Sequence, residues 1–78
     1  MNTNLIDTIK RDCEHWKRIK DGGFYHRLCL NECANSKESG LYQLILNGME
    51  LWYGTLQEIN AVVKSMIALI EKKDEYEV

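Results

Sequence analysis

Apolar residues return every three or four positions along most of this chain, and polar ones fill the gaps, which predicts helices rather than strands. Over residues 4–20, Leu5, Ile6, Ile9, Cys13, Trp16 and Ile19 share one side of a helical wheel. Asp7, Arg11, Glu14 and Arg18 share the other. A second segment, 24–35, gathers Tyr25, Leu28, Cys29 and Cys33 on one helical side. The third pattern is the longest. Leu41, Ile45, Met49, Trp52, Leu56, Ile59, Val63, Met66 and Ile70 step by 4, 4, 3, 4, 3, 4, 3 and 4 residues, a heptad-like stripe. It predicts one helix over 41–73 with Ser39 as its N-cap, about 50 Å long at 1.5 Å per residue. Gly48 and Gly54 would lie inside it, each costing about 1 kcal/mol relative to alanine.

These elements give an all-α fold in a single domain, 1–78. It is a helical hairpin whose first arm (4–20 and 24–35) is kinked or broken at Gly22-Gly23 and whose second arm is the long helix. A kinked arm would run antiparallel to that helix along its whole length, with Cys13 near Val63 and Phe24 near Trp52. A tight turn would instead fold the first arm over 41–52. Either way the apolar arc of 41–73 is broader than one arm covers, and two helices alone leave a face open. The expectation is a homodimer that closes a helical bundle through Leu56, Ile59, Val62, Val63, Met66, Leu69 and Ile70. The small size adds to this. A chain of 78 residues buries only about 60% of its unfolded surface, so a second subunit, a disulfide or a metal commonly assists.

Composition narrows the classes further. Hydrophobic residues make up 45% and charged residues 28%, as in a folded domain. The net charge is −2 and the pI about 5.6, so no global positive field gathers nucleic acid or anionic lipid. No basic region followed by an apolar run marks a leader, and the uncharged run 39–49 is too short for a membrane span. This reading places the chain in the cytoplasm, off membranes, with reduced thiols.

Residues 13–33 hold all three cysteines and both histidines. On a straight helix His26 and Cys33 are about 10.5 Å apart along the axis, and Cys13 and His15 point about 200° apart. Zinc needs four close ligands, so Cys13, Cys29 and Cys33 are weak metal candidates with no fourth partner. Their better role is as small hydrophobes in the core. No cofactor is expected. No phosphate loop, HExxH, nucleophile–base constellation or paired carboxylates stand out, and a short helical chain leaves little room for a walled pocket. The expectation is a non-enzymatic protein that binds another protein as an adaptor, regulator or inhibitor, of the kind found among small proteins of microbes and their viruses. Lys10, Lys17, Arg18, Tyr42 and Tyr53 are its candidate contact residues. The alternative is nucleic-acid binding through the basic side of the first helix. Against it, acid-first i,i+4 pairs such as Asp7–Arg11 and Glu14–Arg18 fit a solvated face.

Overall fold

The computed structural model describes residues 2–21, 27–33 and 35–76, with side chains over 5–20, 27–33 and 35–71. The order of elements is α1 (Asn2–Asp21), β1 (Leu28–Asn31), α2 (Ser36–Ser39, a single turn), β2 (Tyr42–Leu46), β3 (Met49–Gly54) and α3 (Leu56–Tyr76). The strands form an antiparallel sheet in the order β1-β2-β3. The all-α helical hairpin and its bundle dimer are therefore corrected to a mixed fold of helices on a sheet. Gly22-Gly23, where the kink or turn was placed, and Phe24, Tyr25 and His26 lie outside the described residues.

The reason for the correction lies in the arithmetic of the stripe. Steps of four residues satisfy a period of two as well as one of 3.6, so Leu41, Ile45 and Met49 fit a strand as well as a helix. What separates the two is Asn47-Gly48. Both residues have positive φ, 54° and 83°, the backbone of a two-residue type I′ turn that matches the twist of an antiparallel hairpin. Around that turn Tyr42 and Leu44 alternate with Gln43 and Ile45, the first pair buried and the second partly exposed. A helix through 41–54 would place these residues on several sides. The hairpin places them on two.

Further along, the odd steps 56→59 and 63→66 belong to a true helix. Its start is fixed by a reciprocal cap. Thr55 Oγ1 accepts the Glu58 N–H at 3.2 Å, while Glu58 Oε1 accepts the Thr55 N–H at 2.9 Å. Gly54 stands just before it, and a Cβ there would require the Glu58 carboxylate and the Trp52 indole to shift. Ser39, read as a helix N-cap, instead ends α2, whose chain leaves through Gly40 at φ 73°. The link between β1 and β2 is held by buried Ser36, whose hydroxyl accepts the Cys33 N–H and donates to the Leu41 carbonyl, both at 2.8 Å.

Ile9, Cys13 and Trp16 of α1, Leu28 of β1, Tyr42 and Leu44 of β2, and Leu56, Ile59 and Val63 of α3 make one core. Leu5, Ile6, Val62, Met66 and Ile70 pack around it. The amphipathic reading of α1 thus places its buried residues where the structure has them. The helices do not run antiparallel, however. Lys64 donates to Asp12 at 3.1 Å and His15 lies 3.5 Å from Glu71, so position advances in the same sense along both. Three alternating strands between α1 and α3 require that parallel arrangement.

The fold makes the α3 cap testable. Thr55→Ala should lower stability by about 1 kcal/mol in denaturant titration, and Thr55→Ser should stay near the parent value. An unchanged midpoint for Thr55→Ala would place the start of the helix elsewhere.

Candidate interaction surface

Both long helices pack on one side of the sheet, where Leu28, Tyr42 and Leu44 point. Among the described residues nothing covers the other side. Register places Cys29 opposite Ile45, Asn31 opposite Gln43, and Gln43 opposite Tyr53 on that open side. A chain of polar side chains crosses all three strands there. Asn31 Nδ2 donates to Gln43 Oε1, and Gln43 Nε2 donates to Glu50 Oε1, each at 2.9 Å.

The outer strand β3 is the less protected part. A register shift opposite Leu44 and Ile45 seats Leu51 as an extra residue, so Trp52 faces Leu44 while Glu50 faces Ile45. Met49 is 74% exposed, Leu51 42%, Trp52 44% and Tyr53 49%, so the strand edge is largely apolar. It contains neither lysine nor proline, the residues that commonly shield a sheet edge.

Hydrogen-bond alternation fixes which backbone groups remain open. The Asn47 N–H donates to the Arg27 carbonyl at 2.8 Å, so the odd-numbered residues of β2 bond to β1 and the even-numbered ones to β3. Trp52 and Gly54, opposite Leu44 and Tyr42, consequently bond inward. Tyr53 turns its N–H and carbonyl outward.

The residues proposed from sequence are scattered over the molecule. Leu56, Ile59 and Val63 are buried by the chain's own α1 and sheet, Val62, Met66 and Ile70 are half-buried beside them, and Leu69 alone of that set is largely exposed. The premise that this apolar side needs a second chain is corrected for its buried part, because the sheet supplies the missing layer. Tyr42 is buried beneath the helices, whereas Tyr53 stands on the open side. Lys10 and Arg18 are exposed on α1. Lys17 donates to Glu14 at 2.8 Å, and that hydrogen bond holds the Glu14 carboxyl below its ordinary range. Glu14 thus pairs with Lys17 across i,i+3.

Cys13 is buried, Cys29 exposed and Cys33 intermediate. Among the described residues no group of three His, Cys, Asp or Glu side chains is placed to hold a metal ion, no enclosed pocket is found, and no helix is long and apolar enough to cross a membrane. Comparison with protein-family models, with curated proteins and with solved structures returns no match. Sequence reasoning missed the β3 edge. The signal for it was Asn47-Gly48 between alternating apolar residues.

The cysteines carry a direct check. Burial, reinforced by nearby Cys29, pushes the Cys13 thiol from 9.0 up to about 12. At pH 8 a maleimide should therefore modify Cys29 in the native protein and reach Cys13 only after unfolding. Above pH 9 the unfolded chain releases a proton that folded Cys13 retains, so this residue's contribution to stability should fall as pH rises from 9 toward 12. A Cys13→Ala variant should lack that component. Equal labelling rates for Cys13 and Cys29 would contradict the packing of α1 on β1.

Proposed function

We propose that this protein works by binding another protein, as an adaptor, regulator or inhibitor, and that the contact is made by the β3 edge and the adjoining open side of the sheet. The observation that carries this reading is the combination of four exposed large apolar side chains and outward backbone groups on one unshielded strand. Strand addition to such an edge draws affinity from main-chain hydrogen bonds and specificity from alternate side chains. Apolar exposure of this extent on a small domain marks an interface more often than chance. Aromatic residues such as Trp52 and Tyr53 are the types that dominate binding energy at interface centres. In the polar chain Asn31–Gln43–Glu50 one amide donor of Asn31 and one of Gln43 are already taken within the protein, which lowers the cost of covering it.

Nucleic-acid binding through α1 has weaker support. Lys17 is engaged by Glu14 and Asp12 by Lys64, so acidic and basic groups interleave on that helix and across to α3. A phosphate-binding stripe needs basic groups without such partners.

A photo-reactive amino acid at position 53 tests the reading against position 18 of α1 in lysate of the source cells. A discrete protein adduct from position 53, retained at about 0.5 M salt, is the expected result. Nucleic-acid adducts from position 18 alone, lost at that salt, would overturn it.

A further inference from the structure

Asn47-Gly48 is the only asparagine–glycine step in the chain. Both residues are exposed at the end of the hairpin, and nothing lies within 4 Å of where a Gly48 Cβ would stand. Glycine leaves the backbone nitrogen after the Asn47 carboxamide open to close approach, and asparagine is among the side chains that react on heating. We propose that Asn47 is a site of spontaneous deamidation, and that its hydrogen bond from Arg27 holds the reaction back until the turn parts from β1.

The reaction needs only the chain itself and water. The Gly48 nitrogen attacks Asn47 Cγ, so an N–Cγ bond forms while the Cγ–Nδ2 bond breaks, and the displaced amide nitrogen leaves as ammonia with the Gly48 proton. Water then opens the resulting five-membered succinimide at either carbonyl. Opening at Cγ leaves aspartate on the ordinary backbone. Opening at the Asn47 main-chain carbonyl leaves isoaspartate, in which the backbone runs through Cβ and Cγ.

The folded geometry opposes ring closure. Asn47 meets Arg27 twice: its N–H donates to the Arg27 carbonyl, and its Oδ1 accepts the Arg27 N–H, each at 2.8 Å. The carboxamide is thereby tied to β1, and Cγ reaches the Gly48 nitrogen only after that side-chain bond breaks. One ordinary hydrogen bond disfavours the open form by about fivefold.

The two products differ in what they do to the fold. Aspartate keeps a side-chain oxygen for the Arg27 N–H. Isoaspartate carries its carboxylate directly on Cα, one carbon short of that reach. It also lengthens by one carbon a two-residue turn whose twist suits the hairpin at its present length. Leu46 then loses its register with Met49, and β1 loses a bond at Arg27. The hairpin thus contains a slow covalent switch, whichever partner occupies β3.

Ageing the full chain in dilute buffer, folded or unfolded in urea, tests this by peptide mapping and by enzymatic methylation of the new α-carboxylate. Isoaspartate should accumulate at position 47 of the folded chain, about fivefold or more slowly than in urea. It should form faster at pH 8 than at pH 6, because the attacking nitrogen must lose its proton. Gly48→Asn keeps a residue that tolerates positive φ but places a Cβ beside that nitrogen. It should retain the circular dichroism and lose the accumulation at 47. The isoaspartyl form, separated by its added negative charge, should unfold at lower denaturant than the aspartyl form and exchange its Arg27 amide faster.

Absence of isoaspartate at position 47 from the aged folded chain would overturn the site. Equal rates in buffer and in urea would overturn the restraint by Arg27. An isoaspartyl form as stable as the aspartyl one would overturn the switch.

Discussion

Asn47 and Gly48 hold the chain in consecutive left-handed conformations, and that two-residue reversal decides the architecture. It brings Leu46 against Met49 and sets the pairing of β2 with β3. With that register fixed, Tyr42 and Leu44 must face one side, and α1 and α3 have a surface to cover. A one-residue slip would move Leu44 from the core to solvent and bring Gln43 inward. The Asn47 side chain reinforces the same point from β1, its Oδ1 accepting the Arg27 N–H at 2.8 Å. One turn thus aligns all three strands.

From that alignment follows an asymmetric sheet. Two long amphipathic helices occupy one side, and no third layer covers the other among the described residues. Small two-layer domains of this kind solve the problem of too little core by dividing it, with the helices hiding their stripes against strands rather than against each other alone. The cost is an open side and two edges. β1 is short and lies under α1, and the link from β1 to β2 is locked by Ser36. β3 has no comparable protection, and its exposed residues are large and apolar. The exposed residues therefore line the free edge from both sides, Tyr53 and Glu50 on the open side and Trp52 and Met49 opposite Leu44 and Leu46 on the helix side.

Much of this was legible in the residues, unevenly. The α1 stripe Ile9, Cys13 and Trp16 reads as buried from spacing alone and is buried. Leu56, Ile59 and Val63 read as an apolar helix side from their spacing, since the step of three from Leu56 to Ile59 admits no strand, but they were assigned to a dimer seam and are covered by the chain's own α1 and sheet. Residues 41–52 misled because intervals of four are common to both periodicities, and because the single odd step there, Met49 to Trp52, coincides with the extra residue Leu51 in β3. The hairpin dipeptide and the Thr55-x-x-Glu58 cap were the local signals that outweighed the stripe. For β1 the sequence offered less. Leu28 and Cys29 are adjacent apolar residues, and only pairing with β2 sends one inward and the other out.

The account stands on residues 42–54 being a hairpin with a bare outer strand, and proton NMR tests that most directly. Gln43 and Tyr53 form a pair whose α-protons approach closely in an antiparallel ladder, so a strong Hα–Hα contact between them is predicted. The Tyr53 amide should exchange with solvent faster than those of Trp52 and Gly54 in dilute protein, where the edge is free. Sequential amide–amide contacts running unbroken from 42 to 54, without the cross-strand signal, would contradict it.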